Sequence, residues 1–177
     1  MHDVKNLRMH GLLLCMPDTE SLLLLKKLCA EHSWMQAGLD ELAETPLEQW
    51  QGEYTRLFIN GFPKTAAPPY ESVYRHQIMF GPLLDELNAL YREAGLTIGD
   101  MPADYLGTQL EFAAHLAGSK DPRSSQWQTR LWRDHLHHWL PRFVADLCQH
   151  SRLLIYRLWG GQLALLNSRL QEQLACG

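Results

Sequence analysis

Apolar residues recur along nearly the whole chain at spacings of three and four positions, the period of an amphipathic helix. Runs with this period cover residues 4–16, 18–38, 45–61, 72–95, 102–118, 122–150 and 153–174. No pair of alternating apolar and polar runs flanks a hairpin turn, as two paired strands would. The pattern predicts an all-α protein, a single-domain compact bundle of about seven helices over residues 1–177.

Capping residues mark several of the predicted helix ends. Thr45, Pro46 and Glu48 match a capping box, in which the cap and N3 side chains satisfy each other's amide groups. Gly95 stands just past the end of the fourth run, at the position where helices favour a C′ glycine. Pro141 lies inside the sixth run and predicts a break there.

Composition and charge narrow the classes of function. The chain has 177 residues, 46% of them hydrophobic and 20% charged, which is ordinary for a folded domain. Its formal net charge of −4 and the lack of a Lys/Arg-rich run argue against a nucleic-acid partner. No run reaches the roughly 18 apolar residues of a membrane span, so stable membrane insertion is not expected. The four cysteines are widely spaced without a CxxC pair, which favours a reduced, cytoplasmic protein.

One cluster of potential metal ligands lies in the sixth run. Asp134 and His138 are four positions apart and His135 and His138 three, so pairs of them share a helix face. A metal site needs further ligands, and neither an HExxH motif nor a second cluster supplies them. The cysteines lie in leucine-rich runs, which disfavour a reactive thiolate. We therefore predict no metal, no cofactor and no catalytic site.

The stretch AAPPYESVYR, residues 66–75, interrupts the helical pattern. Pro68 and Pro69 hold the backbone near polyproline II and leave few free amide donors, so the rings that follow are presented from a stiff segment. One interpretation is a surface linker whose Tyr70 and Tyr74 are tucked into the core. The other is a binding loop, since functional side chains are often carried on anchored loops.

Several motifs occur around this loop in a fixed order. YTRLF at residues 54–58 precedes PPYESVY at 68–74, followed by MPADYLGTQLEFAAHLA at 101–117 and HLHHWLPRFVADL at 135–147. In order and spacing they resemble the motifs of the TorD/DmsD/NarJ family of redox-enzyme maturation chaperones. The motifs cover about residues 50–150, and the first fifty residues fit only by their helix pattern. Tyr105 stands where the family usually has a histidine.

The resemblance implies an all-helical cytoplasmic chaperone without enzymatic activity. Such a protein binds a molybdoenzyme precursor, shields its twin-arginine leader peptide and delays export until the molybdopterin cofactor is inserted. The residues implied to bind the client are Pro69, Tyr70, Glu71, Ser72, Tyr74, Phe80, Asp104, Tyr105, Leu106, His135 and Trp139. A twin-arginine leader carries two guanidinium groups followed by an apolar stretch, so its receptor should offer an apolar trough with carboxylates at one end. The candidate carboxylates are Glu71, Asp100 and Asp104; the trough would be formed by Tyr70, Tyr74, Phe80, Leu106 and Trp139.

Two other classes of function stay open at this point. One is a metal- or nucleotide-dependent hydrolase, with Asp134, His135 and His138 as its metal ligands. The other is a helical adaptor for an unrelated partner. The chain is expected to be a monomer or a domain-swapped dimer, with residues 118–125 as the hinge candidate, because swapping begins at a loop between two halves.

Overall fold

A computed structural model of the protein describes residues 4–75 and 81–175. Within these residues every regular element is helical and there is no β-strand, which confirms the all-α prediction. The α-helical segments are α1 (Val4–Leu12), α2 (Ser21–Cys29), α3 (Gln36–Ala43), α4 (Leu47–Tyr54), α5 (Glu71–Arg75), α6 (Pro82–Glu93), α7 (Leu106–Gly118), α8 (Ser124–Arg130), α9 (His137–His150) and α10 (Leu154–Ala175). The chain is thus divided more finely than the seven predicted runs.

Some predicted helix ends are observed and others are wrong. Gly95 follows α6 with a φ of 77°, the left-handed conformation expected of a C′ glycine. The capping box at Thr45 is not formed. α4 begins at Leu47 with Pro46 at its N-cap, and the Thr45 hydroxyl donates instead to the carbonyl oxygen of Glu41, at 2.8 Å. The run 18–38 is not one helix, because α2 ends at Cys29 and α3 begins at Gln36.

Two π-helical turns widen the helices near the loop of residues 60–70. One, Thr55–Ile59, continues α4, and the other, Leu131–Leu136, joins α8 to α9. α9 runs through Pro141 without ending, so the predicted break there is wrong. The irregularity lies instead one turn earlier, in the π-helical turn, a form that is rare and frequent at functional sites.

The core is formed where α10 packs against α9 and α3 and where α1 packs against α7. Its largest fully buried side chains include Trp139, Phe143 and Trp159. α10 approaches α9 closely at Gly160, where an added Cβ would lie 2.5 Å from the Sγ of Cys148. Two helices can approach this closely only where one of them has a glycine at the point of contact.

No helix in the described ranges is both long and apolar enough to cross a bilayer. The connection between α7 and α8 is short, and Asp121 accepts hydrogen bonds in it from the backbone and side chain of Arg123. Domain organisation and helix exchange about residues 118–125 stay predictions.

Candidate functional site

The proline-aromatic loop is bonded to the turn that precedes α7. The backbone N–H of Leu106 donates to the carbonyl oxygen of Pro69 at 2.9 Å, and that of Glu71 donates to the carbonyl oxygen of Asp104 at 3.1 Å. These bonds form an isolated antiparallel bridge between Tyr70 and Tyr105. The two segments that the sequence singled out, 35 positions apart, therefore lie side by side.

The buried side chain of Asp104 adds a further hydrogen bond between these two segments. Its side chain is 2% exposed, and its Oδ2 accepts from the backbone N–H of Ser72 at 3.0 Å. Ser72 lies in the first turn of α5, whose amides have no partner within the helix. Asp104 thus caps α5 from a distant part of the chain.

Glu71 is fully buried and lies at the centre of a second polar network. Its Oε1 accepts from Nη1 of Arg75 at 2.7 Å, and its Oε2 accepts from Nε2 of Gln109 at 2.6 Å. Nδ1 of His135 lies 3.3 Å from the same Oε1. Arg75 also donates to the carbonyl oxygen of Asp134. An ionised carboxylate can only accept hydrogen bonds, so its donors have to come from other groups. For Glu71 they come from α7 and the second π-helical turn as well as from α5, and the network therefore ties these three elements together.

The remaining predicted side chains divide into core and surface. Tyr74, Leu106 and Trp139 are buried, and the Tyr74 and Trp139 ring centroids lie 5.6 Å apart. Tyr70 and Tyr105 are half-buried, with centroids 5.4 Å apart. Phe80 lies outside the described residues.

The prediction that Glu71 and Asp104 offer carboxylates to a bound peptide is wrong for this structure. Both side chains are buried, and both are occupied by bonds within the chain. Tyr74, Leu106 and Trp139 belong to the core rather than to an open trough. Of the described predicted residues, Tyr70 and Tyr105 keep rings at the surface. A role in client binding for Pro69, Ser72 or His135 stays a prediction.

Tyr105 is held in place by its hydroxyl group and by the packing of its ring. Its hydroxyl donates to the carbonyl oxygen of Leu14 at 3.0 Å, an oxygen that also accepts from Tyr54. Burial, helped by the nearby hydroxyls of Tyr54 and Tyr70, raises the pKa of Tyr105 well above its ordinary value. The ring lies against the first turn of α7, where an added Cβ on Gly107 would come within 2.5 Å of it.

A groove of about 450 Å³ opens beside Tyr105, between the segment 96–101 and α7. Its apolar and aromatic side chains are Tyr91, Leu96, Ile98, Met101, Tyr105 and Phe112. Phe112 is buried, whereas Met101 is 49% exposed at the mouth. The groove therefore offers apolar surface along a solvent-accessible furrow.

The charged side chains of the groove are acidic. Asp100 and Glu111 are exposed among its lining residues, together with His115, and the described lining contains neither lysine nor arginine. Glu111 is bound by the guanidinium of Arg8, which reaches it from α1. Apolar surface with an acidic rim therefore lies beside Tyr105, built mostly from residues that the sequence analysis did not name. That a client peptide binds there stays a prediction.

Sequence reasoning identified Asp100 and Tyr105 but missed the other residues of this groove. A signal was present: Thr108, Glu111 and His115 recur at positions i, i+3 and i+7 and mark the solvent face of α7. The apolar residues of LTIGDM at 96–101 follow the C′ glycine, outside any helix. Apolar residues in a non-helical segment have to cover something or remain exposed.

The alternative metal site does not form among the described residues, which contain no group of three or more potential ligands. Asp134 is paired with Arg133, His135 is buried against Glu71, and His138 is exposed. The geometry therefore does not favour the metal-dependent hydrolase.

The family model for the nitrate reductase delta subunit matches residues 22–145, about two thirds of the chain and all of the loop and turn described above. The chain belongs to the nitrate reductase delta subunit family. This match confirms the resemblance to TorD/DmsD/NarJ chaperones, since that family model is of the NarJ type.

Two individual proteins are also similar. The chaperone protein YcdY of Escherichia coli (strain K12) is 28% identical over 111 residues, a match that covers 63% of this chain and 57% of YcdY. The chain therefore spans little more than half the length of that relative. A solved structure described as a redox enzyme maturation protein from Archaeoglobus fulgidus has a TM-score of 0.67 at 20% identity, covering 97% of this chain and 95% of the other. At this identity the second likeness shows the fold alone.

Proposed function

We propose that the protein is a cytoplasmic maturation chaperone for a molybdenum-containing oxidoreductase. It binds the precursor through its twin-arginine leader and holds it until the molybdopterin cofactor is inserted, without breaking or forming bonds itself. Membership of the nitrate reductase delta subunit family and the likeness to a curated chaperone support this class of function.

The observation that carries the proposal is the charge pattern of the groove. Its apolar lining suits the hydrophobic stretch of a leader peptide, and its exposed carboxylates, Asp100 and Glu111, suit the guanidinium groups that precede that stretch. A receptor for an acidic or phosphorylated peptide would need the opposite charge on its rim. Tyr70, whose ring packs at a tilt against that of Tyr105, extends the aromatic surface from the groove toward the proline-aromatic loop.

Titration of a labelled twin-arginine leader peptide against the purified protein, followed by fluorescence anisotropy, tests the proposal. We expect saturable binding that Met101→Lys weakens at least about tenfold, because the new cation lies in the mouth of the groove beside the incoming guanidinium groups. Met16→Lys is the matched control. It alters a methionine of nearly equal exposure, 48% against 49%, that lies outside this groove.

The absence of saturable binding to the wild-type protein would contradict the proposal. Equal weakening by both lysine variants would also contradict it, because the leader would then respond to total charge rather than to the groove.

A further inference from the structure

The ion pair on the rim of the groove has the geometry of a bound arginine ligand. Arg8 donates from Nε to both carboxylate oxygens of Glu111, at 3.1 Å and 3.3 Å, and from Nη2 to Oε1 at 2.8 Å. A guanidinium that offers two nitrogen donors to one carboxylate makes the strongest form of this contact. The carboxylate that faces a groove ligand is therefore already occupied by a guanidinium from the same chain.

The pair is not needed to hold α1 on α7. Both side chains are more than half exposed, and exposed ion pairs contribute little to stability because water and salt screen them. α1 is anchored instead by Leu7 and Met9, which are buried in the core. An incoming guanidinium can thus replace Arg8 without loosening the helix.

We propose that Glu111 is a guanidinium subsite of the groove, and that Arg8 occupies it until an arginine of the leader displaces it. The proposal rests on the proposed function. It adds which carboxylate binds an arginine of the leader and which side chain competes for that carboxylate. Asp100, which makes no ion pair within residues 4–75 and 81–175, is available to the second arginine. The resident arginine raises the affinity that a ligand must have to bind, so weakly cationic peptides are excluded.

The test compares Arg8→Gln, Glu111→Gln and the double variant, using a twin-arginine leader and a version with both arginines replaced by glutamine. Removing Arg8 should tighten binding of the twin-arginine peptide about two- to fivefold, the range expected when a screened surface pair no longer competes. It should leave the glutamine peptide unchanged. Glu111→Gln should weaken the twin-arginine peptide and cancel the effect of Arg8→Gln in the double variant.

Arg130→Gln is the matched control, because it removes an exposed arginine that pairs with Glu93 and neither residue lines the groove. It should leave both affinities unchanged, and circular dichroism should report the same helix content for every variant. If Arg8→Gln binds the twin-arginine peptide no more tightly than the wild type does, the subsite is wrong while the proposed function stands. If neither the wild type nor any variant binds the twin-arginine peptide, both the subsite and the proposed function are wrong.

Discussion

Asp104 and Glu71 illustrate how a charged residue in a loop can serve the fold rather than a ligand. Each was expected to offer its carboxylate to the guanidinium groups of a bound leader peptide. Each is buried because other parts of the chain supply donors: the Ser72 amide for Asp104, and Arg75, Gln109 and His135 for Glu71. A buried carboxylate is tolerated when donors replace the water it loses.

Asp104→Ala tests the capping role of this residue. It should lower the free energy of unfolding by about 1–2 kcal/mol, the usual cost of losing a cap. It should also speed hydrogen exchange at the Ser72 amide, which loses its acceptor. Asp104→Asn keeps an acceptor oxygen and should lose less than half as much. Denaturant unfolding and amide exchange give the two quantities; equal losses for both variants would show that charge rather than hydrogen bonding matters.

At the scale of elements, α10 carries two adjacent glycines, of which only Gly160 lies against α9. A Cβ on Gly160 would lie 2.5 Å from Cys148 Sγ, whereas a Cβ on Gly161 would meet nothing within 4 Å. The two glycines do not interrupt α10, which is continuous from Leu154 to Ala175. Gly160 allows the two helices to pack closely. Gly161 makes no such contact, and it makes α10 less stable than alanine at the same position would.

Alanine substitutions separate these two roles. Gly161→Ala should stabilise the protein by about 1 kcal/mol through helix propensity alone. Gly160→Ala should destabilise it by about 1–2 kcal/mol, because overpacking outweighs that gain. In a Cys148→Ala background the sulfur is gone, and Gly160→Ala should become stabilising. Thermal unfolding of the wild type, the three single variants and the Gly160→Ala/Cys148→Ala double variant measures these effects. A Gly160→Ala effect that is the same with and without Cys148 would refute the assigned contact.

At the scale of the whole molecule, the first and last helices are joined through a buried histidine. Nε1 of Trp159 in α10 donates to Nδ1 of His10 in α1 at 3.0 Å, so that nitrogen must carry no proton. Burial, with a smaller contribution from His32, lowers the pKa of His10 to about 4. Protonation of His10 is therefore coupled to separation of the two helices.

Stability should fall in a defined acid range because of this histidine. The unfolded chain takes up a proton near the ordinary histidine pKa of about 6.5, whereas the folded chain resists protonation until about pH 4. The unfolded state thus binds more protons between these values, and about 2.5 kcal/mol is lost from about pH 7.5 to about pH 4.5. His10→Gln should remove this part of the pH dependence, and His138→Gln, at an exposed site, should retain it. Urea unfolding across the range provides the measurement; parallel curves for wild type and His10→Gln would reject the assignment.

The sequence by itself determined the class of fold and most of the helices. Helical periodicity is a property of neighbours three and four positions apart, and so is the C′ glycine at Gly95, whose backbone conformation follows from local sterics. The order of the motifs around residues 54–147 was likewise sufficient to indicate the chaperone family, which the family match confirms. These features need no knowledge of which segments meet in space.

Only the tertiary structure decided which side chains in and around the proline-aromatic loop are exposed to solvent. Whether Glu71 or Asp104 faces water depends on donors that arrive from tens of residues away, and no local pattern encodes their arrival. The groove likewise exists because the segment 96–101 lies across α7, and its acidic rim is half occupied because α1 brings Arg8 to Glu111. Burial and competition for charge arise from the packing of distant segments, so they follow from the folded chain and not from its local sequence.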